Sequence, residues 1–215
     1  MPIQDLSPAP AGRPEASPKR QLVLDAARTL FLADGFGAVS MEAVARRAGV
    51  SKATLYAHFA SKEALFATMM GAYSLPGQVS DELLSQPADD LPTVLEAVGR
   101  TMLRFLLAEG TMSLIRIAIA ESARFPELGR TYFARGPARS VERLAHWLAG
   151  EQAAGRMRAD ADPSVAADQF VALLRSGLFL RAALGVPPLP GEADIDRTVA
   201  AAVDTWLRAF APRRP

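Results

Sequence analysis

In residues 26–66, "AARTLFLADGFGAVSMEAVARRAGVSKATLYAHFASKEALF", glycines and hydroxyl residues recur where helices should begin and end. Upstream, a helix over about 19–34 aligns Leu22, Ala26 and Leu30 on one row and Val23, Ala27 and Phe31 on the next. Gly35 follows, where a left-handed helix end wants glycine. Ser40 fits an N-cap, with Glu42 in the first turn at the positive end of the helix dipole. The short helix "MEAVARRA" ends at Gly49, and Ser51 and Ser61 are the next two N-caps. Residues 19 to about 71 therefore read as four helices, the middle two very short.

Two short helices joined by a tight glycine turn form the helix-turn-helix pattern. Ala45 is small where the two helices cross, Gly49 supplies a positive φ, and Val44, Val50 and Leu55 pack toward the first helix. The second helix then presents Lys52, Ala53, Thr54 and Tyr56 outward. In a major groove, Lys52 donates to guanine, the Ala53 methyl packs on thymine, and Thr54 bonds a base or a phosphate. Tyr56, His58 and Lys62 are spaced for the flanking phosphates, and the helix starts at Ser40 and Ser61 offer backbone amides to phosphate oxygens. Each residue also has a plainer reading alone: Lys52 and Lys62 as solvated lysines, Tyr56 as core, His58 as a structural histidine beside Phe59. Taken together and in this order, they point to DNA.

Residues 20–66 resemble the DNA-binding domain of the tetracycline-repressor (TetR) family. The resemblance lies in F-x-x-x-G-F, then the Ser40 cap, then A-x-x-A-G-V-S-x-x-T-L-Y-x-H-F-x-S-K-E-x-L. It implies a homodimeric, all-helical bacterial repressor whose C-terminal domain binds a small molecule. It implies base-reading positions at Ser51, Lys52 and Ala53. It further implies DNA contacts, mostly to phosphate, at Thr54, Tyr56, His58 and Lys62, and a phosphate cap at Ser40. Position 53 is often Gly or Pro in the family, so Ala53 leaves the operator sequence open. Further on, "IRIAIAESARFPELGRTYFARGP" and "LRSGLFLRAALG" resemble the AefR-like C-terminal subgroup.

The chain has 215 residues, of which 50% are hydrophobic, enough for an ordinary core. It has no cysteine and two histidines, His58 and His146, so disulfides, thiolate zinc and multi-histidine metal sites are excluded and no metal or cofactor is expected. The first residues lack the pattern of a secretory signal, and no apolar run is long enough to span a membrane, so a soluble, cytoplasmic protein is expected. Net charge is +1, yet residues 1–62 carry 8 Lys and Arg against 5 Asp and Glu, which puts the positive excess at the N-terminal end.

The expected organisation is a Pro-rich disordered tail over 1–18, a helix-turn-helix domain over 19–71, and a ligand-binding and dimerisation domain over 72–215. The fold class is all-α, with a three-helix helix-turn-helix unit and a larger helical domain. Pro76 and Gly77 mark the break. Helices follow at 91–110, 111–125, 137–154, after the Asp162 cap with Pro163, and at 192–211. Leu174, Gly177 and Leu178, with Val203, Trp206, Leu207 and Phe210, are assigned to a four-helix dimer interface, against the alternative that they are intramolecular core. Met102, Phe105, Met112, Arg116, Ile119, Glu121, Trp147 and Phe170 are assigned to an effector pocket, against the alternative of a filled core.

The expected function is a ligand-responsive regulator, a repressor that binds a palindromic double-stranded DNA operator and is released by a small apolar or amphipathic effector. Two other readings compete. An enzyme would have to use His146 with Glu142 or Arg143, since no nucleophile elbow, phosphate loop or dinucleotide fingerprint is present. An architectural DNA-binding protein would have a filled C-terminal core.

Overall fold

The computed structural model describes residues 18–72, 84 and 90–212, with backbone alone at 70–72. The expected N-terminal tail (all but Pro18) and the break at Pro76–Gly77 lie outside the described residues. Every regular element among the described residues is helical: α1 (Pro18–Ala38), α2 (Met41–Ala48), α3 (Lys52–His58), α4 (Lys62–Ala72), α5 (Leu91–Leu107), α6 (Glu109–Ser122), α7 (Pro126–Arg135), α8 (Pro137–Ala153), α9 (Pro163–Ala183) and α10 (Glu192–Phe210). None of them is long and apolar enough to cross a membrane.

The N-terminal boundaries follow local chemistry. α1 breaks at Gly35, which takes φ 75°. The Ser40 hydroxyl accepts from the Ala43 N–H, Ser51 from Thr54 and Ser61 from Ala64, each at 3.1 Å. Each bond satisfies one of the amides that a helix start leaves without a partner. Gly49 closes α2 at φ 66°, ψ 28°, its N–H reaching the carbonyls of Ala45 and Arg46. A Cβ placed on Gly49 would meet nothing within 4 Å. A side chain there is therefore opposed by backbone conformation alone. Gly49→Ala is expected to lower stability by roughly 1–2 kcal/mol, and Gly49→Asn by clearly less, because asparagine tolerates the left-handed region. Urea midpoints of the two variants check this; equal midpoints would show that the turn is not held at that φ.

Behind the turn, Leu55 and Phe59 are buried against α1, with Val23, Ala27 and Phe31. Phe31, Phe36 and Phe66 form an aromatic cluster with centroids 5.3–5.5 Å apart. Phe125 extends it from the C-terminal half, edge-on to Phe36 at 5.1 Å. α4 packs on α7 and α1 on α6, so the two halves share a continuous apolar seam.

The C-terminal half is a helical bundle. α9 packs on α8 and α10, and α10 on α5. Gly99 of α5 is the close-approach point: a Cβ there would lie 3.1 Å from Leu174 and 3.3 Å from Val199. The Asp162 carboxylate caps α9, accepting from Ser164 at 2.7 Å, and Pro163 occupies the first turn. α9 departs from helical geometry at Ser176, beside Gly177, a pair of the kind that permits a kink.

Candidate nucleic-acid interface

α2, the Gly49 turn and α3 form a rigid corner whose outer surface is polar. Ser51, Lys52, Ala53, Tyr56 and His58 are exposed and Thr54 is half-buried. The Ser51 and Thr54 hydroxyls are 2.9 Å apart, so one hydrogen bond orients both at the start of α3. Ser40 is exposed at the start of α2. Seven of the eight expected DNA-binding residues thus stand at the start of α2 and along α3.

Two features of this surface were not anticipated. Lys52 Nζ lies 2.5 Å from Glu42 Oε1 on α2, and over the Tyr56 ring at 5.8 Å from its centroid. The hydrogen bond from Lys52 holds the Glu42 carboxyl below the usual carboxylate range, and Glu42 in turn raises the Lys52 ammonium above its ordinary value. Both groups are exposed, so the pair adds little to stability; its role is to position Lys52. Glu42 was read only as a partner of the helix dipole.

Lys62 is a correction. Its ammonium turns inward rather than to a phosphate. It donates to the carbonyls of Phe36 at 2.8 Å and Val39 at 2.9 Å, and lies 4.4 Å from the Phe36 ring centroid. The cause is Gly35: the break there leaves carbonyls at the end of α1 without helical partners, and a lysine at the start of α4 supplies the donor. Burial pushes this ammonium below lysine's ordinary value, while the carboxylates of Glu63 and Glu121 oppose the shift.

Glu121 is also relocated. Its Oε1 accepts from the Gly37 N–H at 3.2 Å, so it binds the end of α1. Ile119 stands 62% exposed on α6. Arg116 caps α9, donating to the carbonyls of Ala182 at 2.6 Å and Ala183 at 2.7 Å. Met112, Trp147 and Phe170 are core side chains. Of the expected pocket residues, Arg116 lines an open groove with Arg28, Leu32, Glu109, Gly110, Ser113 and Ile117, while Met102 and Phe105 border a separate cavity. Its volume is about 40 Å³, and Leu106, Thr111, Ile115, Tyr132, Gly136, Pro137, Ser140 and Arg175 complete its wall.

The residues assigned to the dimer interface divide. Leu174, Val203 and Trp206 are buried within the chain, and the Trp206 indole N–H donates to the Ala166 carbonyl at 2.8 Å. They are intramolecular core, because α9 and α10 turn their most apolar rows toward each other and toward α5. Gly177 is exposed, and Leu178, Leu207 and Phe210 are partly so. His146 is exposed on α8.

Comparison with known proteins gives this geometry its context. Residues 23–69 match the family model for bacterial regulatory proteins of the tetR family, and residues 93–212 match that of the C-terminal domain of AefR-like transcriptional repressors. The solved structure of the flavonoid-responsive regulator FrrA is 37% identical and superimposes with a TM-score of 0.71, covering 91% of this chain and 98% of that one. A TetR-family transcriptional regulator from Pseudomonas syringae pv. tomato is 28% identical with a TM-score of 0.70, covering 92% and 99%. The transcriptional regulator UidR of Escherichia coli K12 is 49% identical over 51 residues, which are 24% of this chain and 26% of UidR. The chain belongs to the TetR family of helix-turn-helix transcriptional regulators, in its AefR-like branch.

Proposed function

We propose that this protein represses transcription as a homodimer, each α3 lying in the major groove of one half of a palindromic operator, and that a small apolar or amphipathic effector releases it. The observation that carries the reading is the exposed start of α3. There Ser51, Lys52 and Ala53 stand free of the core on a corner fixed by three side-chain caps and Gly49. These are two hydrogen-bond donors and a methyl, groups suited to base edges, while Tyr56, His58 and the Ser40 helix start serve the backbone. The outer faces of α9 and α10, with Gly177, Leu178, Leu207 and Phe210, are the surface proposed for the second copy. The two α3 helices must then stand about 34–36 Å apart to read successive grooves. Release follows when an effector prefers the form with the wrong spacing, by its differential affinity for the two forms. The corner at Glu121 and Phe125, bound to the end of α1, offers a rigid link between effector and DNA surfaces.

Selection from a random DNA library at moderate salt, followed by anisotropy titrations, tests this. A palindromic site is expected. Lys52→Ala should weaken binding to it by about 1–3 kcal/mol, roughly 5- to 150-fold, and relax the preference at one base pair. Tyr56→Ala should weaken all sequences alike. Lys62 is unsuitable for this purpose, since its replacement disturbs α1. A protein that bound no sequence better than random DNA would end the reading.

A further inference from the structure

We propose that the cavity between α5, α6, α7, α8 and α9 is an anion site: it takes the carboxylate of a small organic acid, with Arg175 as the receiving group and an apolar wall for the acid's body. This names the effector class and rests on the reading that an effector binds the C-terminal half.

Among the described residues, Arg175 is the one charged side chain in the cavity's wall. Its Nε is shut off from solvent and has no hydrogen-bond partner. Its guanidinium lies over the Phe179 ring at 5.5 Å from the centroid, a contact that accepts no hydrogen bond from the Nε edge. A buried donor left unmade is destabilising and is rare in native proteins without a reason. Among the described residues, the cavity's wall contains no aspartate or glutamate to answer the charge. Arg181 shows the contrast: its Nε also lacks a partner, but Arg181 lines a surface groove with Asp194, a carboxylate whose pKa it helps to lower.

The rest of the wall suits an amphiphilic acid. Met102, Phe105, Leu106 and Ile115 give an apolar side. Thr111, buried, and Tyr132 supply hydroxyls; burial raises the Tyr132 phenol above its ordinary value, so it stays protonated and able to donate. A planar guanidinium fork matches a carboxylate, and such charge-assisted bonds are about twice as strong as neutral ones. The space of about 40 Å³ fits the carboxylate itself. The body enters by displacing Phe105 or Tyr132, both only partly buried, against a methionine that adapts to varied shapes.

The test uses the full chain with benzoate, phenylacetate, cinnamate and octanoate, each beside its primary amide, in thermal melts and calorimetric titrations. At least one acid should raise the Tm saturably. Its amide should bind roughly 10- to 150-fold more weakly, the ratio that corresponds to hydrogen bonding with a charged partner. Arg175→Met, with its fold checked by circular dichroism, should abolish the preference for acid over amide. If that variant does not fold, the comparison in the unaltered protein decides. Amides that bind as well as acids, a preference that survives in Arg175→Met, or four acids without effect would each overturn the site. Operator binding is measured separately. An acid that binds through Arg175 yet leaves operator affinity unchanged upholds the anion site and overturns the effector reading.

Discussion

Trp206→Ala is expected to lower stability by about 3–5 kcal/mol, which for a chain of this size moves the Tm down by roughly 6–20 °C. Trp206 is wholly buried, sits edge-on to Phe170 at 6.4 Å and stacks obliquely on Phe210 at 5.1 Å. Truncation leaves a cavity at the meeting of α9 and α10 and removes the indole N–H that donates to the Ala166 carbonyl. Trp206→Phe keeps most of the ring volume and loses the hydrogen bond, so about 1–2 kcal/mol is expected for it. The measurement is urea unfolding at two protein concentrations, with oligomeric state followed by light scattering. An interface tryptophan would behave otherwise: its loss would dissociate the assembly and leave the folded subunit intact. That outcome would return Trp206 to the subunit interface.

Lys62→Met should lower stability by about 2–3 kcal/mol although it removes a side chain that is only half-buried. Methionine keeps the length and packing of the stem and takes away the donor for the Phe36 and Val39 carbonyls, together with the charge above the Phe36 ring. Lys62→Arg should recover part of the loss, since a guanidinium donates but is too broad for the site between the Phe36 and Val39 carbonyls. The matching DNA experiment separates this role from a phosphate contact. With an ammonium committed to α1, Lys62→Met should leave the slope of log affinity against log salt unchanged at temperatures where the variant is folded. A phosphate contact would reduce that slope by about 1.

The residues that sequence alone placed well are those whose partners are local. Ser40, Ser51 and Ser61 each cap a helix through an amide three residues away, and Gly49 acts through its own φ. Such features need no knowledge of the rest of the chain. Lys62 shows the opposite case: its partners lie 23–26 residues back, at carbonyls freed by the Gly35 break. Nothing in its immediate neighbourhood separates an inward lysine from an outward one. The helices expected from sequence include no counterpart of α7, because Pro126, just past the helix expected over 111–125, reads equally as a stop. Proline at a first turn also starts a helix, and here it does.

α6 illustrates a second limit. Met112, Leu114, Ile115, Ile117 and Ile119 are apolar nearly all round, so periodicity does not fix which face turns inward. The fold buries Met112, Leu114, Ile115 and Ala118 and leaves Ile119 outside. On α9 and α10 the most apolar rows suggested a subunit interface, and the chain's own core took Leu174, Val203 and Trp206 first. Arg175 escaped the reading although it carried a signal: a single arginine inside the leucine-rich run "VALLRSGLFL".

The placement of the two tryptophans has a practical corollary. Trp147 and Trp206 both lie in the C-terminal bundle, and residues 18–72 contain none. Intrinsic fluorescence therefore watches one half of the molecule, while circular dichroism at 222 nm watches all of it. If the seam of Phe36, Phe125, Lys62 and Glu121 joins the halves into one cooperative unit, the two signals should trace a single denaturation curve. Loosening the seam with Lys62→Met should pull them apart: ellipticity falls first as the helix-turn-helix melts, and tryptophan emission shifts to the red only later.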